Sequence, residues 1–300
     1  MKILVNRKPV NGPWGGGNHF IKAFHETGIK KGHQITNSFS SDLDAVFMID
    51  PRYDELGISI NEIKEYKSHY PSTFILHRVN ECDSRKGTCD TDNLLQYCSM
   101  HTDVSIFVSE WMKDYHLSKG WKCNANDVIH NGVDHSVFKP NHKFNDGKIN
   151  IVAHHWSDNY LKGFDVYDFL DNLVSLHDHL TFTYIGRERG TFQNTKIIPP
   201  LAGKKLGDEL GRYDVYISGS RSDPGPNHIL ESLACYMPTY VHKDGGGAVE
   251  FAGDDHVYGS LSELQDLILS GKFMPNILKP APWDVCINKY FDILEKKGLY

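Results

Sequence analysis

What most constrains this chain is an alternation. Short apolar runs rich in β-branched residues take turns with longer amphipathic stretches of helical period. A run of four to six residues is too short for a buried helix and suits a strand covered on both faces, so the pattern predicts parallel sheets crossed by helices, an α/β class. The runs fall into two series. Residues 2–6, 34–39, 45–49, 73–77 and 104–108 form the first, with Phe20, Ile21, Ala23 and Phe24 marking one helical face and Ile60, Ile63 and Tyr66 another. Residues 149–153, 181–185, 196–198, 215–217 and 239–241 form the second, separated by helical segments at 164–176, 204–212 and 228–235. Two series predict two similar domains, 1–140 and 149–280, joined by the polar stretch 140–148. After Pro280 and Pro282, an apolar stripe at Trp283, Ile287, Tyr290, Phe291 and Leu294 predicts a final helix within 283–300 that packs back towards the first domain.

Composition narrows the function. The net charge of -6 leaves no basic excess to attract a phosphate backbone without specificity. Six scattered cysteines, none in a CxxC pair, give no zinc site or dense disulfide framework. Seventeen histidines include no HExxH, and no metal set is expected. The opening MKILVN enters a strand at once and no run reaches membrane-spanning length, so the expectation is a cytoplasmic protein without an integral membrane segment.

The richest stretch is YDVYISGSRSDPGPNHILESLACYMPTYVHKDGGGAVE, residues 213–250. A buried strand enters a Ser, Gly, Pro and Asn loop and then a helix, whose first amides would welcome an anion at the sheet's carboxyl edge. Asp223 in the loop and Glu231 in the helix can hold two separated hydroxyl-bearing parts of one ligand. The plainer alternative makes Asp223 a helix cap and Glu231 half of a surface ion pair.

This segment resembles the donor-binding signature of the family 4 retaining glycosyltransferases: an acid, seven residues, then Glu. The resemblance implies sugar contact for Asp223 and ribose contact for Glu231, although the first acid is Asp where the family has Glu. Gly225, Pro226 and Asn227 resemble the loop that presents amides to sugar and phosphate; because Pro226 has no amide hydrogen, Asn227 and His228 are the expected donors. Gly245, Gly246 and Gly247 with Glu250 resemble the glycine turn that shapes the nucleotide pocket. VIHNGVDHSVFKP resembles the turn that ends the first domain, and Asn131 and Gly132 suit such a turn physically.

Two further segments agree in order. In AHHWSDNYLKGFDVY, Lys162 and Gly163 open a helix after the second domain's first strand, where a lysine would neutralise a departing diphosphate. The family adds an Arg just before; here the region offers His154, His155 and Trp156, so either His155 takes part of that role, or Lys162 carries more of it, or the donor is held differently. In VNRKPVNGPWGGGNHF, Gly15, Gly16 and Gly17 allow close approach of backbone to phosphate or sugar, with a helix beginning near Asn18. The same loop counts against a dehydrogenase, since the third glycine of G-x-G-x-x-G falls on Phe20 and the next strand carries no acid for a ribose. His77, placed at the end of a strand, resembles the histidine near the donor sugar. Asp83, Arg85 and Lys86 follow as a loop that could meet an acceptor.

The resemblance implies GT-B architecture, two facing Rossmann-like domains. It implies a hexosyltransferase that moves sugar from a UDP- or GDP-sugar with retention, without metal or resident cofactor. The acceptor, whether glycan, lipid, protein or nucleic acid, is left open. The alternatives are a binding protein of the same fold without turnover, and another two-domain enzyme such as an epimerase or phosphorylase.

Overall fold

The computed structural model describes residues 1–10, 16–52, 55, 57–187, 189–190 and 192–296. Two compact units divide the chain, the first Met1–Gly132 with Trp283–Tyr300 and the second Val133–Pro282. The chain passes between units at Gly132, so the polar stretch 140–148 lies inside the second unit, where the Asn141 amide group donates to the Asp208 carbonyl.

In the first unit the elements run β1 (Lys2–Val5), α1 (Gly16–Lys30), β2 (Gln34–Thr36), β3 (Ala45–Met48), α2 (Ile60–His69), β4 (Phe74–Val79), α3 (Asp83–Lys86), α4 (Thr91–Ser99), β5 (Val104–Phe107), α5 (Glu110–Leu117) and β6 (Asn126–Val128). The sheet is parallel with order β2-β1-β3-β4-β5-β6, and Val5 lies beside Phe47 in the register. Strand β2 stops three residues before its expected end. Asn37 turns its side-chain amide onto the carbonyls of Val5 and Arg7 (2.8 and 3.0 Å), so acceptors that would continue the ladder are taken by a side chain. Helix α2 starts on a capping box, Ser59 with Glu62, as an S-x-x-E sequence should.

The second unit runs β7 (Ile149–His155), α6 (Phe164–Leu176), β8 (Leu180–Gly186), β9 (Lys196–Ile198), α7 (Gly203–Leu210), β10 (Val215–Ser218), α8 (Asn227–Ala234), β11 (Thr239–His242), α9 (Gly247–Ala252), β12 (Val257–Tyr258) and α10 (Leu261–Ser270). Its sheet is again parallel, in the order β12-β11-β10-β7-β8-β9. Each sheet therefore starts at a central strand, fills one side, then crosses to the other. The reversal falls between β1 and β3 in the first and between β7 and β10 in the second, and at such a switch point a crevice opens beyond the strands' carboxyl ends.

Helix α11 (Trp283–Glu295) belongs to the first unit. Its stripe is buried as the spacing requires: Phe291 stacks on Phe24 with centroids 4.7 Å apart, and Tyr290 meets Phe20 edge-on at 5.1 Å. Fully burying such a ring stabilises by about 1.5–3 kcal/mol, so this seam fastens the returning chain to α1.

His77 requires a correction. It sits inside β4, not at its end, and is 0% exposed with neither ring nitrogen hydrogen-bonded. The strand continues because Arg78, which reads as a polar terminus, is buried as well: its guanidinium lies 4.2 Å over the Phe20 ring and donates to the Asn131 side chain at 2.7 Å.

Candidate functional site

The switch point of the second sheet gathers most of the residues singled out from sequence. Beyond β7 the chain makes a short 3-10 turn, Tyr160–Lys162, and Gly163 then caps it in a left-handed conformation (φ +96°) before α6 begins. Lys162 thus precedes the helix and does not open it. A Cβ on Gly163 would lie 2.2 Å from the backbone carbon of Gly219, so only glycine lets this turn press against the loop after β10. Two further ties hold the same contact: the Arg221 amide donates to the Leu161 carbonyl (2.8 Å), and the Arg221 guanidinium pairs with Asp165 (2.9 Å).

The consequence of that close packing is an ion pair. Lys162 Nζ lies 2.8 Å from Asp223 Oδ2, with the side chains 14% and 8% exposed. Ser220 Oγ donates to the same oxygen at 3.1 Å. Pro226 is the N-cap residue of α8, and the Asp223 backbone bridges the glycine turn, taking an N–H from Gly247 (2.8 Å) and giving its own to the Gly245 carbonyl (3.1 Å). Gly246 lies opposite with φ +69° and ψ -131°, and a Cβ there would come within 2.9 Å of the Asp223 backbone. The glycine run after β11 is thereby explained as the backing of Asp223.

Glu231 is no surface residue either. It is 7% exposed on α8, and its Oε2 lies 2.7 Å from His154 Nε2. His154 and His155 point to opposite faces of β7, as neighbours on a strand must: His155 Nε2 meets the Tyr167 hydroxyl of α6 at 2.5 Å, and the Gly219 amide donates to that hydroxyl at 3.2 Å. Burial raises the Tyr167 pKa above its ordinary value, so the hydroxyl keeps its proton. The ring of His228 lies edge-on to both histidines, 4.6 Å from His155 and 6.2 Å from His154, and its Nε2 is 3.1 Å from Ser218 Oγ. Ser218 Oγ in turn accepts from the Ser220 amide at 3.3 Å, so a polar network runs from His228 to Lys162, with the His154 and Glu231 pair beside it. Pro226 stands at the N-cap of α8, Gly225 precedes it in the loop, and Asn227 and His228 open the helix, whose N-terminus carries partial positive charge.

Sequence reasoning missed Ser218, Ser220, Arg221, Asp165 and Tyr167. Ser220 and Arg221 stand close to Asp223 in sequence, but the Arg221 partners Leu161 and Asp165 lie far off in the chain.

In the first unit, Gly15 lies outside the described residues, while Gly16 and Gly17 belong to the first turn of α1, earlier than the expected helix start. Gly17 borders a hollow at that sheet's own switch point. Of the loop proposed to meet an acceptor, Asp83 opens α3, and its carboxylate accepts from the Thr91 and Asp92 amides, a local turn. Arg85 is buried, and Lys86 pairs with Glu81. No described helix is long and apolar enough to cross a membrane.

Comparison with known proteins places this geometry in a fold. No family model and no curated protein matches the sequence. Among solved structures, sucrose-phosphate synthase from Thermosynechococcus elongatus is similar over 99% of both chains, with a TM-score of 0.69 at 11% identity. Anabaena HepE in complex with UDP and glucose is similar over 90% of this chain and 89% of its own, with a TM-score of 0.66 at 12% identity. The pneumococcal O-GlcNAc transferase GtfA, in complex with UDP and GlcNAc, is similar over 85% of this chain and 57% of its own, with a TM-score of 0.63 at 11% identity. The shared fold is the two-domain α/β class of these glycosyltransferases, GT-B.

Proposed function

We propose that the chain is a glycosyltransferase that binds a nucleoside-diphosphate hexose at the switch point of the second sheet and passes the sugar to an acceptor with retention of configuration. The observation that carries the reading is the Lys162 and Asp223 pair at 2.8 Å, set in a polar network that runs to His228 on α8, with Glu231 and His154 paired beside it. A diphosphate leaving group gains charge as its bond to the sugar breaks, and a largely buried ammonium close to a helix N-terminus answers that charge. Lys162 would exchange part of its pairing with Asp223 for the phosphate, freeing the carboxylate to accept from sugar hydroxyls. Glu231, oriented by His154, would accept from the ribose hydroxyls. The complexes of HepE with UDP-glucose and of GtfA with UDP and GlcNAc support this choice of ligand.

In the proposed step the acceptor oxygen bonds the anomeric carbon on the face from which the phosphate leaves, and the acceptor's proton departs on the leaving phosphate oxygen. No protein nucleophile is needed, and His77, fully buried, has no part. Neither metal nor resident cofactor is invoked, so chelation with EDTA should leave turnover intact. A binding protein without turnover remains the second reading, favoured by one observation: Asp223 already compensates the Lys162 charge.

The test is a thermal-shift and hydrolysis panel of UDP-, GDP- and ADP-sugars. The account expects one nucleotide to stabilise the protein and its sugar to be slowly released, with both effects lost in Glu231→Ala and Lys162→Ala. Stabilisation without release, with any acceptor, would favour the second reading.

A further inference from the structure

The hollow beside Gly17 is a second cavity, and its lining differs in chemistry from the cluster around Asp223. It encloses about 330 Å³ and lies where β1, β3 and β4 end, at the point where the first sheet reverses its strand order. That volume is at the small end for ligand pockets, enough for roughly one sugar ring or a molecule of similar size. Ile49 and Leu95 give it an apolar side.

Its polar side is set by charge. Arg7 and Lys8 follow β1, and Asp50 and Arg52 follow β3; all four line the pocket. Two guanidinium groups converge on one carboxylate: Arg7 Nη2 is 2.9 Å and Arg52 Nη2 is 2.6 Å from Asp50 Oδ2, while Arg52 Nε donates to Oδ1 at 2.9 Å. Burial would raise the Asp50 carboxyl, but Arg52 and Arg7 hold it below its ordinary value, so it stays ionised and fixes the guanidinium planes. The other lining carboxylate, Glu81, is matched by Lys86 at 3.0 Å. A chain with net charge -6 thus brings three cations to one small pocket.

We propose that this pocket receives the acceptor, and that the acceptor is a small molecule, or the end unit of a larger one, with a carboxylate or phosphate near its accepting hydroxyl. The inference rests on the transferase reading above for the word acceptor; the anion site itself does not. With three cations against Asp50, and with Glu81 matched by Lys86, the lining keeps a positive charge that suits either oxyanion, the exposed Lys8 ammonium foremost, and the apolar side covers the carbon skeleton. In transfer the hydroxyl oxygen bonds the anomeric carbon, the bond from that carbon to phosphate breaks, the proton leaves with the nucleoside diphosphate, and the anionic group is unchanged.

The experiment uses the full chain and reads binding before turnover. Glucose 6-phosphate, glucuronate and glucose are titrated by calorimetry without donor, on wild type, Arg52→Gln and Lys8→Gln; Arg52 is half-exposed, so its replacement should fold. At least one anion is expected to bind tenfold or more tighter than glucose, and both variants to remove that preference; the better anion decides between phosphate and carboxylate. The same anion is then the expected acceptor with UDP-glucose, its KM rising about tenfold in Arg52→Gln while UDP affinity holds. If neither anion outbinds glucose, or the variants bind as wild type does, the proposal is overturned. If the anion binds but no UDP-, GDP- or ADP-sugar does, the transferase reading falls, the acceptor role falls with it, and the anion site stands.

Discussion

The two sheets reverse direction in the same way, yet their switch points are furnished differently. At the second, between β7 and β10, the side chains are joined to one another: Lys162 to Asp223, Ser220 to Asp223, Ser218 to His228 and His154 to Glu231. At the first, between β1 and β3, the chain leaves a hollow with an apolar side and a cluster of arginines around Asp50. A shared topology supplies the crevice, and the loops decide what it can hold. On the proposed reading the network would hold one ligand of fixed chemistry, a donor. The hollow is assembled by side chains at three strand ends, where substitution would retune the proposed acceptor without disturbing the sheet.

The largest effect should come from the charge at the second switch point. Lys162→Gln is expected to lower turnover about 100- to 1,000-fold, the range for one preorganised electrostatic group. Because Asp223 loses its cation, stability should fall too, by about 3–5 kcal/mol for a buried pair broken on one side; the double variant Lys162→Gln with Asp223→Asn should recover part of the stability and none of the activity. Recovery of activity would mean that Lys162 is structural. Gly163→Ala ranks next. The added methyl meets the Gly219 backbone, so denaturant melts should show a loss of more than about 2 kcal/mol, with donor affinity falling alongside. An unchanged melting curve would contradict the packing that places Lys162.

A smaller effect separates the units by pH. Burial lowers His77 to about 3 and His116 to about 4, against an ordinary 6.5. The fold disfavours the charged rings, so their contribution is whole above pH 6.5 and is lost as pH falls through the window down to those values. By pH 5 each ring should cost roughly 2 kcal/mol, at about 1.4 per unit. Trp121 stacks on His116 with centroids 3.8 Å apart, so its fluorescence reports the first unit. His77→Leu should flatten the acid dependence between pH 6.5 and 4; an unchanged profile would remove His77 from the account.

Much of this was legible beforehand. The strand series, the Lys162 and Gly163 turn, Asp223 and Glu231 are local patterns, and apolar period and loop chemistry are written in consecutive residues. Three things were not. The short strands β6 and β12 and helices such as α3 carry too few residues to show a period. His77 was misplaced because Arg78 looks like a strand's end, and only the Phe20 ring and Asn131, distant in sequence, make burial of its guanidinium tolerable. The pocket around Asp50 draws on loops after three separate strands, and no single stretch of sequence announces it.

The central claim is that the second unit's switch point binds a nucleotide-sugar through Glu231, and calorimetric titration tests it most directly. UDP, GDP and ADP would be titrated into wild type and Glu231→Gln, with circular dichroism to show that both are folded. The account predicts that one nucleotide binds the wild type and loses about tenfold or more in Glu231→Gln, the cost of a hydrogen bond to a charged group. Equal affinity in the two proteins, or no binding of any nucleotide to the wild type, would contradict it.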